Sequence, residues 1–135
     1  MKHLVLAGRL VFGAWMLVNG VNHFFLALYP EPTGHEALAA QLMAALVHSH
    51  LFDVAMTIQL VTGALILVGI FVPVALCVVM PISVCALYWS LILEHQALGA
   101  VLALAAFALN GLLMLAYVDY YRGVLQRHAL TLGET

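Results

Sequence analysis

Residues 51–71 read LFDVAMTIQLVTGALILVGIF and residues 74–93 read VALCVVMPISVCALYWSLIL, so that two long apolar stretches are separated only by Val72 and Pro73. A helix needs about 20 apolar residues to cross the hydrocarbon core of a bilayer, and each stretch has that length. Pro73 suits the first turn of a helix, because a proline there lacks only an amide that would be unpaired anyway. The sequence therefore predicts two neighbouring antiparallel membrane helices joined by a tight turn.

The rest of the chain has the same character. Apolar residues make up 66% of the sequence and charged residues 7%, which is too few for the surface of a soluble domain of this size. Residues 10–29 and 97–117 form two further stretches of spanning length. We therefore predict an all-α integral membrane protein, in which residues 1–135 form a single antiparallel bundle of four transmembrane helices.

One long connection, residues 30–49, joins the first two of these helices. It begins with prolines and polar residues, and Thr33 followed by Glu36 has the spacing of a capping box. The next residues are rich in alanine and leucine. We predict a short helix over residues 36–47, too short to span, that lies along the membrane interface or covers the mouth of the bundle.

The cationic residues lie at the two ends of the chain, as Lys2, Arg9, Arg122 and Arg127. Short flanking segments rich in Lys and Arg stay in the cytoplasm, so this pattern predicts a multi-pass protein of a bacterial-type inner membrane with both termini cytoplasmic. A cleaved signal peptide is the competing interpretation of the first stretch, but no small-x-small cleavage site follows it. The absence of a basic cluster argues against nucleic acid as a partner.

Polar residues on the first helix share one stripe. Asn19, Asn22 and His23 lie at positions i, i+3 and i+4, with Trp15 one turn earlier. Unsatisfied polar groups within hydrocarbon cost several kcal/mol, so we expect these side chains to face other helices, water or a ligand. Interhelical hydrogen bonding is one interpretation of the asparagines. For His23 we favour a functional role, because ionisable residues within membrane helices usually mark a site or a pathway.

The predicted topology collects other ionisable residues at the same outer mouth. These residues are His48, His50, Asp53, Glu94 and His95. Histidine and carboxylate side chains are ordinary ligands of Zn, Fe or Cu, so these five residues are candidate metal ligands. Their spacing matches no compact metal motif, and the alternative is that they only meet water and headgroups. Haem bound by His23 and His95 is a weaker option, because the outer face offers no Lys or Arg for the propionates.

A quinone or another apolar substrate would need a slot of aliphatic and aromatic side chains with one or two polar groups for its carbonyls. The candidates for such a slot are Trp15, Asn19, Asn22, His23, Phe24, Tyr88, Trp89 and Asn110. Trp and Tyr near helix ends also form the aromatic belts of membrane proteins, so the aromatic residues have a second interpretation.

The sequence resembles the DoxX family of four-helix membrane proteins. The resemblance rests on RLVFG at residues 9–13, VNGVNHF at residues 18–24, Gln59 followed four residues later by Gly63, the Pro73 turn, and AYVDYYR at residues 116–122. It implies a four-helix inner-membrane bundle associated with quinone-linked oxidoreductases. This chain has His23 where the family commonly has lysine and Gln59 where it commonly has glutamate. The substitutions remove a charge pair, while His23 retains a ligand or proton-transfer option.

We therefore predict a membrane subunit of a quinone-linked oxidoreductase, with His23 as the catalytic residue and an apolar pocket that opens to the periplasmic side. One alternative is a non-catalytic scaffold or assembly partner that anchors soluble subunits through residues 120–135. Soluble or membrane oxidoreductase subunits are accordingly the expected protein partners. A second alternative is a metal-dependent membrane enzyme that uses the outer histidines.

The small residues Gly99, Ala103 and Ala106 would allow close packing of the fourth helix within one chain or in a homo-oligomer.

Overall fold

The computed structural model describes residues 1–26 and 33–122, and the regular secondary structure in these ranges is helical. The helices are α1 (Lys2–Val21), α2 (Ala37–His48), α3 (Leu51–Val68), α4 (Val72–Tyr88), α5 (Ala97–Ala116) and α6 (Val118–Tyr121). Two π-helical turns extend α1 and α4, over Asn22–Leu26 and Trp89–Glu94. Arg127 lies outside the described residues. So do residues 123–135, most of the segment that anchors other subunits in the scaffold alternative.

The four long helices confirm the predicted apolar segments. With their π-helical turns, the four segments Lys2–Phe25, Leu51–Val68, Val72–Glu94 and Ala97–Ala116 are long and apolar enough to cross a membrane. Many of their large side chains face outward; Leu98, for example, is 70% exposed and Leu112 is 64% exposed. Such continuous apolar outer surface is what a lipid-facing bundle requires and what a soluble monomer avoids.

The predicted start of the first helix was wrong. We expected it at residue 10, after Arg9, but α1 begins at Lys2. A cation does not end a helix, since its aliphatic stem can lie along apolar surface while the charge reaches a more polar level. The predicted capping box is also not formed, because Glu36 is itself the N-cap residue of α2 and no side chain caps that helix.

The connection between α3 and α4 is as tight as predicted. Gly69 has a left-handed φ of 88°, which an L side chain rarely adopts, and its amide and that of Ile70 both donate to the Leu65 carbonyl. Phe71 then precedes α4, and Pro73 lies in the first turn of that helix. Gly69 therefore ends α3 and Pro73 lies in the first turn of α4, so only a few residues separate the two helices.

The core is formed where α1, α3, α4 and α5 meet. Phe12, Ile66, Leu76 and Val79 are completely buried there. Ala103 and Ala106 of α5 are also buried, so these small residues pack within the chain. At one end of the bundle α2 contacts α3 and the Trp89–Glu94 turn. The short helix therefore packs at that end, which is one of the two placements that the sequence left open.

Glycines set the spacing between α1 and α3. A Cβ added at Gly63 would lie 2.5 Å from the backbone nitrogen of Leu17 and 2.9 Å from the Gly13 carbonyl oxygen. A Cβ added at Gly20 would lie 2.7 Å from the Cβ of Leu60. Small residues allow helices to approach to backbone contact. We call this closely packed contact of α1 with α3 the α1–α3 seam.

Candidate functional site

A cluster of two histidines and one aspartate lies at the end of the α1–α3 seam that α2 covers. The Nε2 atom of His23 is 2.7 Å from Oδ1 of Asp53, and the Nδ1 atom of His50 is 3.0 Å from Oδ2 of the same carboxylate. We call these three residues the His23 cluster. One carboxylate therefore binds two imidazoles, one on each oxygen.

Local backbone structure positions each member of this cluster. His23 lies in the π-helical turn that follows α1, and π-helical turns frequently occur at functional sites. Asp53 lies in the first turn of α3, and His50 is the N-cap residue of that helix with a left-handed φ of 62°. The cluster thus combines the end of one long helix with the beginning of another.

The surroundings of His23 are largely apolar. Its ring makes edge-on contacts with Phe24 and Phe52, at centroid distances of 4.7 and 5.2 Å. The side chain of His23 is 14% exposed, whereas Asp53 is 46% and His50 is 82% exposed. The exposed fraction of the side chain therefore increases from His23 through Asp53 to His50. The three residues form a hydrogen-bonded chain from an enclosed imidazole to the surface of the protein.

The carboxylate also determines the proton position on His23. An ionised carboxylate can only accept hydrogen bonds, so the Nε2 atom of His23 carries the proton that points at Asp53. A carboxylate in this position orients an imidazole and stabilises its protonated form. The pair is therefore suited to hold a proton and release it to an acceptor.

Amide side chains continue the polar seam deeper into the bundle. Asn19 donates to the Oε1 atom of Gln59 over 3.2 Å, one helical turn from His23. Gln59 and Asn22 are buried, and Asn19, Asn22 and His23 make further interactions within the chain. The predicted polar stripe of α1 therefore faces α3. Gln59 belongs to this site although it was not among the predicted site residues.

Glu94 belongs to a different contact from the one predicted. Its buried carboxylate accepts hydrogen bonds from the backbone amide of His35, at 2.8 Å to each oxygen, and lies 2.5 Å from Nδ1 of the same residue. The Glu36 amide donates to it over 3.4 Å. This tether fastens residues 35–36, just before α2, to the end of the Trp89–Glu94 turn. His35 was not among the predicted site residues.

The five candidate metal ligands are not brought together. His50 and Asp53 belong to the His23 cluster, and Glu94 binds the segment before α2. His48 is bound to the Ala44 carbonyl of its own helix at 2.7 Å, and His95 is exposed in the turn after Glu94. Within residues 1–26 and 33–122 no three His, Cys, Asp or Glu side chains form a group that could hold a metal ion.

The proposed pocket-lining residues are also distributed over several places. Trp15 packs against the core, and Tyr88 is 55% exposed on the outside of the bundle. The indole of Trp89 donates to the Ala39 carbonyl of α2 over 3.2 Å. Asn110 is completely buried between α5 and α4, where it donates to Ser83 over 3.1 Å. Asn19, Asn22 and Phe24 are therefore the candidates that accompany His23.

A large groove lies elsewhere, on α4 and α5. It has a volume of about 730 Å³ and an almost entirely apolar lining, which includes Cys77, Met80 and Phe107. At one end Tyr121 donates its hydroxyl proton to the Pro73 carbonyl over 2.6 Å. Burial raises the pKa of Tyr121 above its ordinary range, and the nearby Cys77 thiol acts in the same direction. None of the predicted site residues borders this groove.

Comparison of the chain with protein-family models, with curated proteins and with solved structures gives no match.

Proposed function

We propose that this chain is a DoxX-like, multi-pass protein of a bacterial-type inner membrane and acts as a membrane subunit of a quinone-linked oxidoreductase. Its four apolar helices form an antiparallel bundle with both termini in the cytoplasm and the His23 cluster towards the periplasm. The observation that carries the proposal is the 2.7 Å contact between His23 and Asp53 in a largely apolar setting.

The proposed chemistry is protonation of a quinone carbonyl oxygen. Reduction of a quinone to a quinol takes two electrons and two protons, and the electrons would come from a partner subunit. The imidazolium of His23 would donate its Nδ1 proton to one carbonyl oxygen, while its Nε2 proton stays in the hydrogen bond to the ionised carboxylate of Asp53. Water would supply the second proton, to the other carbonyl oxygen, and would reprotonate Nδ1 of His23 after each transfer. His50, the more exposed partner of Asp53, would hold the carboxylate in place. Phe24 and Phe52 beside His23 offer aromatic surface for a quinone ring.

Replacement of His23 by alanine tests this role, with His48→Ala as the matched control. Both are histidines at the covered end, but His48 is exposed and bonded to its own helix. Binding of a short-chain benzoquinone would be followed by quenching of the Trp15 and Trp89 fluorescence, and quinone reduction would be assayed in membranes that contain the host complex. We expect His23→Ala to lower reduction at least about 100-fold, the usual contribution of a general acid. Unchanged binding and unchanged reduction would remove His23 from the mechanism.

A further inference from the structure

The cationic end of α1 borders a cleft at the opposite end of the helix from His23. The cleft has a volume of about 450 Å³ and lies between the first turns of α1 and the end of α5. Lys2, Val5 and Arg9 line it from α1, and Ala116 and Tyr117 from α5. Two cations therefore face a cleft whose other walls are mainly apolar.

Arg9 has hydrogen-bonding capacity that the described part of the chain does not use. Its Nε atom is shielded from solvent, and no acceptor in residues 1–26 or 33–122 bonds to it. The guanidinium lies against Gly69, since a Cβ added there would be 3.2 Å from Nη1. Asp119, the acid that follows α5 in sequence, is paired with Arg122 at 2.9 Å. A buried charged donor without an acceptor is costly, so an anion from outside the chain would complete this site.

Lys2 is placed to assist Arg9. The two residues are seven positions apart, which puts them on the same face of α1 about 10 Å apart along its axis. Lys2 is exposed and Arg9 is half-buried, with Val5 between them along the cleft wall. The cleft thus presents two cationic side chains beside apolar surface, which suits an amphiphile with an anionic headgroup.

We propose that this cleft binds the phosphate group of an anionic phospholipid. Arg9 would bind the phosphate oxygens through its planar fork of donors, and Lys2 would add a point charge at the rim. The acyl chains would lie along the exposed apolar side chains of α1. This site is independent of the proposed redox function, because it shares no residue with the His23 cluster.

The test compares wild-type protein, Arg9→Gln and the control Arg122→Gln in nanodiscs of phosphatidylcholine with and without phosphatidylglycerol. We expect phosphatidylglycerol to raise the thermal midpoint of the wild type and of Arg122→Gln but not that of Arg9→Gln. Lipid affinity measured by native mass spectrometry should fall about 10- to 100-fold in Arg9→Gln, as expected for lost hydrogen bonds to a charged group. Should Arg9→Gln not fold, Arg9→Lys and Lys2→Gln provide graded replacements with smaller expected losses.

A separate arm adds inorganic phosphate to the protein in neutral detergent. If phosphate alone stabilises the wild type and not Arg9→Gln, the site stands and its source of phosphate is the free ion. The competing explanation is that Arg9 only stabilises the carbonyl end of α3 near Gly69 through the helix dipole. In that case Arg9→Gln lowers the thermal midpoint equally in every lipid and in phosphate, and this result overturns the proposal.

Discussion

The two long helix contacts of this bundle differ in how closely the helices approach and in what lies between them. In the α1–α3 seam, Gly13, Gly20 and Gly63 bring the two backbones together. In the contact of α4 with α5, a Cβ added at Gly111 would meet no atom within 4 Å, and an apolar groove of about 730 Å³ lies alongside. Close packing fixes side-chain geometry, whereas loose packing leaves it adjustable.

The two contacts also differ in their polar groups. The α1–α3 seam contains the Asn19–Gln59 hydrogen bond and the His23–Asp53 pair. The α4–α5 contact contains the Asn110–Ser83 bond, and Oδ1 of Asn110 has no hydrogen-bond partner in the described part of the chain. A site that must hold a proton at a defined atom needs the rigid seam. Function in this bundle should therefore be sought where glycines hold the helices together.

The largest expected effect is that of Gly63→Ala. Its new Cβ would meet the α1 backbone at 2.5 Å, and backbone cannot rotate away as a flexible side chain can, so the helices must separate. Overpacking of this kind costs about 1–3 kcal/mol of unfolding free energy. Gly111→Ala is the matched control and should be neutral or up to about 1 kcal/mol stabilising, because alanine favours helix and the space is open. Unfolding in a graded series of denaturing detergent measures both; equal effects would show that the two contacts do not differ in closeness.

The second prediction concerns the orientation of His23. Asp53→Asn keeps the shape of the side chain but removes its negative charge and replaces one accepting oxygen by an NH₂ donor, so it can accept from only one of the two histidines and no longer stabilises the protonated form of His23. We expect quinone reduction to fall about 10- to 100-fold, because a less populated imidazolium is a poorer general acid. Ser83→Ala, which removes the polar partner of Asn110 in the α4–α5 contact, should leave the rate within about twofold. A larger loss in Ser83→Ala than in Asp53→Asn would move the site to the other contact.

The third prediction concerns the tether that holds the covering helix α2. Glu94→Gln replaces a carboxylate that accepts from His35 and Glu36 by a group with one accepting oxygen, so the segment before α2 should open more often. Amide hydrogen exchange of residues 35–40 should accelerate about tenfold. Glu36→Gln is the control, because Glu36 contributes its backbone amide to the tether and not its side chain. Unchanged exchange in Glu94→Gln would mean that α2 is held by its packing on α3 instead.

Much of the fold could be predicted from the length of the apolar stretches and from Pro73, which marks the α3–α4 turn. The predicted starts of α3 and α5 agree with the structure, but the predicted end of α3 at residue 71 passed over Gly69, where the helix ends after Val68. The start of α1 could not be read from hydropathy, because Arg9 interrupts the apolar run without interrupting the helix. The antiparallel arrangement and the cytoplasmic termini stay predictions.

The candidate site could be predicted less completely. The stripe of Asn19, Asn22 and His23 indicated the functional face of α1, because polar residues stand out within an apolar helix. The positions of Tyr88, Trp89 and Glu94 could not be deduced in the same way. α4 is apolar on all sides, so its sequence does not indicate which face is buried. The π-helical turn from Trp89 to Glu94 then changes the direction in which these side chains leave the helix. No sequence pattern predicts this turn.

The smallest expected effect is that of Tyr121→Phe, which probes the α4–α5 contact. It removes one hydrogen bond, to the Pro73 carbonyl, and should cost about 1 kcal/mol of unfolding free energy. The raised pKa of Tyr121 means that its contribution to stability is complete below the ordinary phenol pKa of about 10 and is lost as pH rises through the folded-state value. In an alkaline titration of tyrosinate absorbance, Tyr121→Phe should therefore lose absorbance that develops only above the ordinary phenol pKa of about 10. Tyr120→Phe, which alters a 73% exposed phenol, is the matched control and should change the free energy of unfolding by less than about 0.5 kcal/mol. If both variants lose the same stability, the 2.6 Å bond of Tyr121 contributes nothing, and the α4–α5 contact is looser at this end than that bond implies.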